Sequence, residues 1–212
     1  MGEDKKAQRL SRLRAVEQGP PESGEAGGWA VKRDVRRFYD GIAGSYDELY
    51  REEQSGKYRG ASKARASPWR GKILDVGCGT ALFSEAVKTC GGEERTVFGV
   101  DISLRLLQVA RRKVRGQAAF LICADADFLP FPDRIFDTVV AFTLLQNVPD
   151  PKAALSEIRR VLRPDGALVA TYLKEEITST GFRQLLRQAG VEGELLRGIV
   201  GNEHILVAYG GK

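Results

Sequence analysis

The stretch that decides the fold is Asp75–Ser84, "DVGCGTALFS". Two glycines, Gly77 and Gly79, stand one residue apart, after the apolar run "GKILDV" and before helical spacing begins over Ala81–Thr89. A strand that ends in a glycine bend and runs into a helix lets the backbone approach a ligand closely. The alternation continues downstream. "RTVFGVD" (95–101) reads as a second strand, and Ser103 can cap a helix over Leu104–Arg115. "AAFLICAD" (118–125) reads as a third strand and "FDTVVAF" (136–142) as a fourth, with the continuous apolar character of a strand buried on both faces. Pro151–Leu162 is a helix, "RPDG" (163–166) a turn, "GALVATYL" (166–173) a fifth strand and Ser179–Ala189 a helix. The end, "ELLRGIVGNEHILVAYG" (194–210), reads as two strands around a Gly201-Asn202 turn. Strands alternating with helices predict a doubly wound α/β fold, a seven-stranded, mostly parallel sheet with an antiparallel C-terminal hairpin at one edge.

Upstream of Pro68 the composition changes. Residues 1–30 are polar, and "EQGPPESGEAGG" (17–28) has little surface to bury, so a mobile basic leader is expected, with a short basic helix near Gln8–Glu17. From Val31, the residues Val35, Phe38, Tyr39, Ile42, Tyr46, Leu49 and Tyr50 recur at helical spacing, broken at Gly41 and Gly44. Residues 31–67 are therefore one or two lid helices leading into a core over 68–212, the two forming one domain. The net charge of +5 is unevenly placed: residues 1–70 hold 15 basic and 11 acidic side chains, which is four of the five excess charges. Such an end either meets an anionic partner or merely solvates the leader. No apolar run approaches the ~20 residues that cross a bilayer, and no secretory signal opens the chain, so a cytoplasmic protein with no membrane partner is expected. Cys78, Cys90 and Cys123 share no metal-like spacing and read as reduced thiols. The single histidine, His204, lies in an apolar strand-like run and reads as structural, so neither a metal site nor a histidine-activated nucleophile is expected.

Three ligands compete for the glycine bend. A nucleoside triphosphate would want G-x-x-x-x-G-K-[ST], and that string is absent. A dinucleotide would want a third glycine where Leu82 stands, and Asp75 would repel its pyrophosphate. S-adenosyl-L-methionine carries a sulfonium and an ammonium, so an acid at the tip of the first strand is an asset. A second acid ending the second strand, Asp101, suits the paired hydroxyls of its ribose.

Four segments then carry a family likeness. "ILDVGCGTALFS", "VFGVDIS", "ADADFLPFPDRIFDTVVAFTLLQNVPDP" and "EIRRVLRPDGALVAT", in this order, resemble the class I S-adenosylmethionine-dependent methyltransferases and their Rossmann-like fold. The nearest likeness is to the branch (methyltransferase type 11) that holds quinone-biosynthesis C-methyltransferases and tRNA wobble-uridine methyltransferases; it runs from Phe38 to the C-terminus. The resemblance implies that Asp75, Gly77, Cys78 and Gly79 cradle the methionine part and that Asp101 binds the ribose. Ile102 would flank the adenine, Asp125 would accept from its amino group, and the Ala126 backbone would read the ring edge. Phe142 and Thr143 fall near the reactive methyl, and Tyr39 and Tyr46 match aromatics that close over the cofactor. Plainer roles stand beside these: Asp125 as a cap of its own loop, the two tyrosines as core aromatics, and Gln146 and Asn147 as caps of the next segment. Two positions depart from the family pattern. Ala81 stands where many members carry glycine, and Gln146-Asn147 where relatives often carry histidine, which leaves the substrate type open.

Methyl transfer from a sulfonium is in-line displacement at an activated carbon, so positioning supplies much of the rate and no universal catalytic residue is implied. Tyr46, Thr143 and Asn147 are the candidates for the acceptor side. Short connections after Pro68 predict an open site, and an open site beside a basic leader points to a macromolecular acceptor, RNA (tRNA) or protein. The alternative is a quinone-type or other small molecule. More distant alternatives are a non-catalytic binding platform and an NAD-dependent oxidoreductase. Some relatives of similar build work with a small zinc-ribbon activator subunit, for which an exposed strand edge would be the dock.

Overall fold

The computed structural model describes residues 24–63, 68–89, 95–196 and 203–209. The expected leader helix near Gln8–Glu17, Cys90 and the Gly201-Asn202 turn lie outside the described residues. In chain order the elements are α1 (Gly24–Ile42), α2 (Tyr46–Ala61), β1 (Lys72–Val76), α3 (Leu82–Thr89), β2 (Thr96–Asp101), α4 (Leu104–Lys113), β3 (Ala119–Cys123), β4 (Phe136–Ala141), a 3-10 turn (Leu145–Asn147), α5 (Pro151–Val161), β5 (Leu162–Leu173), α6 (Ser179–Gln188), β6 (Glu194–Leu196) and β7 (Glu203–Tyr209).

The seven strands form one sheet in the order β3-β2-β1-β4-β5-β7-β6. Neighbours from β3 to β5 run parallel, and β7 is antiparallel to both β5 and β6. The C-terminal pair is thus the expected antiparallel one at one edge of the sheet, with β7 lying between β5 and the outermost β6. Strand order reverses direction at β1, with β2 on one side and β4 on the other, which opens the crevice where doubly wound sheets bind ligands. Because β1, β4 and β5 are covered on both faces, their central residues are apolar without alternation: Ile73, Leu74, Val139, Val140, Leu168 and Val169 are buried.

Helix starts follow their caps. Ser103 accepts from the Leu106 amide, Asp150 from those of Lys152 and Ala153, and Thr178 from that of Gly181. Gln146 and Asn147, an expected cap for α5, are not its cap; Asp150 holds that place. Two further expectations are corrected. α1 begins at Gly24, so residues 24–30 belong to the helix that the sequence placed only from Val31 onward. The "RPDG" turn is absorbed into β5, where the ladder to β4 shifts register between Phe136 and Thr138. α2 seats Tyr58 among Phe83 and Phe142, with ring centroids 5.4 and 4.8 Å away. Its Asp47 ties it to Lys113 of α4 at 2.7 Å and to Thr80 at 2.5 Å. His204 packs on Phe182, and its Nε2 lies 3.1 Å from the Ile177 carbonyl oxygen, a structural place as expected. No helix among the described residues is long and apolar enough to cross a membrane.

Candidate active site

The crevice above β1, β2 and β4 is a cleft lined by residues of α1, the glycine bend, the tips of β2 and β4 and the loop after β3, placed where ligands enter doubly wound sheets. The glycine bend folds back over β2: the amides of Gly77 and Cys78 both donate to the Val100 carbonyl, at 2.8 and 3.0 Å. Gly77 (φ 78°) and Gly79 (φ 53°) are left-handed, and a Cβ on Gly77 would lie 3.1 Å from Leu144. A Cβ on Gly79 would lie 3.7 Å from the Tyr46 ring. Gly77 therefore needs both its left-handed backbone and its lack of a side chain, while Gly79 needs the backbone conformation.

Two carboxylates sit under this bend. Asp101 accepts from the Gly79 amide with one oxygen and from the Ser103 amide with the other, both at 2.8 Å. Burial pushes its pKa up to about 6 against the pull of those backbone hydrogen bonds. Asp75 is 3% exposed and lies behind the bend rather than on the cleft wall. Burial, with the charge of Asp101 adding to it, pushes its pKa up to about 8. Neither acid has an ion-pair partner among the described residues. Two buried acids without a cation, next to a side-chain-free bend, fit a positively charged ligand and oppose a phosphate.

The other expected residues divide. Tyr39, Tyr46, Gly77, Gly79, Asp101, Ile102, Asp125, Ala126, Phe142, Thr143 and Asn147 all line the cleft. Cys78 does not: it is buried, and its sulfur would stand 2.8 Å from a Cβ on Gly99, so it packs the bend onto β2. Asp125 shows the plainer of its two expected roles, the cap of its own loop, while also lining the cleft. One oxygen accepts from the Asp127 amide at 3.1 Å, capping its loop, and the other receives Lys32 at 2.6 Å.

Lys32 and Lys57 were missed by sequence reasoning. Lys32, on α1, also pairs with Asp127 at 2.6 Å and fastens the helix across the cleft. Burial acts to lower its pKa, but the hydrogen bonds and charges of Asp125 and Asp127 prevail and raise it. Asp127 is raised by its burial despite this partner. At its other end, α1 meets β2's tip where Ser103 donates to Asp40 at 2.6 Å. With Val35 and Tyr39 facing the cleft, α1 makes a roof, so the site is not the open one expected from the short connections. Lys57, on α2, is 1% exposed and donates to Thr143 Oγ1 at 2.6 Å and to Glu53 at 3.0 Å. Gln54 donates to the same hydroxyl at 3.2 Å. Thr143 has φ 55°, a costly conformation for a β-branched residue. It is pinned there further, its amide donating to Thr171 and its carbonyl accepting from Asn147 Nδ2. That carbonyl also fixes the Asn147 amide: turned over, two oxygens would face each other. Asn147 Oδ1 is consequently a buried acceptor without a partner.

Comparison with known proteins agrees with this geometry. A methyltransferase domain model matches residues 74–170, from β1 into β5. A demethylmenaquinone methyltransferase of Geobacillus stearothermophilus is 36% identical over 160 residues, 71% of this chain and 67% of that protein. An S-adenosylmethionine-dependent methyltransferase of Aquifex aeolicus matches with a TM-score of 0.60 at 20% identity, over 66% of this chain and 82% of that one. Another, from Thermotoga maritima and described as a possible histamine N-methyltransferase, matches at 0.65 and 19%, over 84% and 100%. At those identities the two structures speak for the fold. The chain is an S-adenosylmethionine-dependent methyltransferase and belongs to the class I family of these enzymes.

Proposed function

We propose that the acceptor is a small hydroxylated aromatic molecule of the quinol type, methylated on a ring carbon. The observation that carries this reading is the roof: Lys32 on Asp125 and Asp127, and Asp40 on Ser103, hold α1 over a cleft whose walls include Val35, Val76, Val100, Phe142, Leu144 and Val148. Such an apolar, covered cleft suits a flat ring and leaves little room for an RNA or protein strand. The 36% identical relative, named for action on demethylmenaquinone, supports the same class. The macromolecular acceptor expected from an open site loses its premise.

Gly77, Gly79 and Asp101 would hold the methionine and ribose parts of the cofactor, with the charge of Asp75 acting from behind the bend and Ile102, Asp125 and Ala126 toward the adenine. When bound, the cofactor supplies a sulfonium methyl already activated for displacement. The protein's own part is placement and the exclusion of water. Asn147 Oδ1 can accept a hydrogen bond from an acceptor hydroxyl and so fix the ring; an amide cannot take the proton. Asn147 would thus orient the ring, and the cofactor held by Gly77, Gly79 and Asp101 would supply the methyl that replaces the hydrogen on the ring carbon beside that hydroxyl, the displaced proton leaving to bulk water at the cleft mouth.

Incubation of the protein with methyl-labelled cofactor and separate lipid, RNA and protein extracts tests the reading. Label is expected in the lipid extract, in a species that absorbs as a naphthoquinone or benzoquinone after oxidation. Label confined to RNA or protein would overturn it.

A further inference from the structure

Beside the cleft the protein carries charge that methyl transfer does not use. α1 exposes Arg33 and Arg36, and α4 with the turn after it exposes Arg105, Arg111, Arg112 and Arg115. None of these six forms an ion pair among the described residues, whereas Arg51, Arg160 and Arg163 elsewhere are paired. Residues 104–115, "LRLLQVARRKVR", hold five basic side chains and no acid, a cluster hidden by the near-neutral charge of the core as a whole. α1 and α4 pack together, and Arg36, Arg105 and Arg112 meet along a groove between them with Leu104, Val109 and Cys123. The acid in that groove, Asp40, is engaged by Ser103. The groove reaches the cleft at Ile102, which lines both.

Large apolar side chains stand beside this charge. Trp29 on α1 is 54% exposed, Leu104 at the start of α4 56%, and Phe128 after β3 71%. Trp29 and Phe128 flank the Lys32 ammonium, at 5.1 and 5.7 Å from their ring centroids. The groove carrying Arg36, Arg105, Arg112 and Leu104 meets the cleft at Ile102, and Trp29 and Phe128 flank Lys32, which lines the cleft. Guanidinium groups bind phosphate, and tryptophan, phenylalanine and leucine settle at the boundary of headgroups and acyl chains. A nucleic acid would use the arginines but gains nothing from an exposed leucine among them.

We propose that the α1–α4 face docks on the surface of an anionic lipid bilayer, with the mouth of the cleft turned toward the lipid. The contact is peripheral, and it replaces the expectation that a membrane plays no part. It rests on the small-acceptor reading only for its purpose, since an apolar acceptor would reach the cleft from the bilayer; the docking itself is independent of acceptor identity.

Co-sedimentation of the full chain with vesicles tests it. At low salt the protein is expected to pellet with vesicles of phosphatidylcholine and phosphatidylglycerol, to remain in solution with phosphatidylcholine alone, and to be released by high salt. The combined variant Arg105→Gln, Arg111→Gln and Arg112→Gln should partition about a hundredfold more weakly, each lost charge near the surface being worth about fivefold. Its affinity for S-adenosylmethionine and its circular dichroism should match the unaltered protein, since these side chains are exposed and outside the cleft. Equal binding to phosphatidylcholine, or unchanged binding of the triple variant, would overturn the proposal. So would a tRNA mixture that strips the protein from vesicles at equal phosphate concentration. Failure of the small-acceptor reading would look different: methyl label in RNA or protein while vesicle binding persists.

Discussion

The two walls of the cleft are made differently. The cofactor wall is a single contiguous unit, β1, the glycine bend and the tip of β2, in which backbone amides of Gly77, Cys78 and Gly79 and the carboxylate of Asp101 hold one another. The acceptor wall is assembled from a distance: Thr143, in its strained conformation, is held by Lys57 and Gln54 of α2, 86 and 89 residues earlier in the chain. The first wall is set by local conformation and charge; the second depends on packing of α2 against the sheet. The two should therefore fail separately, binding with the one and turnover with the other.

The largest effect is expected at Asp101. Asp101→Asn removes a charge and sets an amide donor against the Gly79 or Ser103 amide. Loss of the charge-assisted hydrogen bonds that the carboxylate would accept from the two ribose hydroxyls, at about 1.5 kcal/mol each, is expected to weaken cofactor affinity roughly a hundredfold, read by calorimetry. Next comes pH. With Asp75 at about 8, the unliganded protein holds a proton there at neutral pH, and a cationic ligand requires its loss. Affinity for S-adenosylmethionine should rise with pH, up to about tenfold per unit, levelling above about 8. Without ligand the sign reverses. A carboxyl whose pKa is raised from 3.8 stabilises the fold while protonated, and that contribution is lost as pH rises through about 8. The melting temperature gained on adding cofactor should then widen between pH 6 and 8.

Lys57→Met should sharpen the comparison from the other side. It leaves the Thr143 hydroxyl without its charged donor, and turnover is expected to fall about tenfold while cofactor affinity changes less than about threefold. An equal loss of both would mean that the two walls act as one. The smallest effect is expected at Gly77→Ala, where φ 78° and Leu144 at 3.1 Å oppose the new methyl. Strain of about 1–2 kcal/mol should lower the melting temperature by a few degrees and weaken cofactor binding severalfold, as seen in thermal melts with and without ligand.

The same division explains what could be read in the sequence. The strands of the core are legible because burial on both faces forces continuous apolar runs such as "KILDV" and "FDTVVA". Asp75 and Asp101 are legible because a strand's end places them at the switch in strand order. Ser103 is legible as a cap because its neighbours are helical and it is short and polar. Lys32 and Lys57 are not: on an isolated helix each looks like one more solvated cation, and only the meeting of that helix with Asp125 or Thr143 turns it into a buried contact. The roof was legible as lid helices over 31–67, but not its start at Gly24 or what ties it down: a glycine-rich start has weak intrinsic helix preference, and the place of α1 over the cleft comes from contacts with Asp125, Asp127 and Ser103. The arginines of α4 were visible, but net charge summed over the core concealed them.

The central claim is that two buried acids beside a glycine bend await a cationic methyl donor. Titration calorimetry with S-adenosylmethionine at pH 7, in two buffers of different ionisation enthalpy, tests it most directly. Binding at a single site, with heats that differ between the buffers by the release of close to one proton, is the predicted result. Absence of binding, or binding whose heat is the same in both buffers, would contradict it.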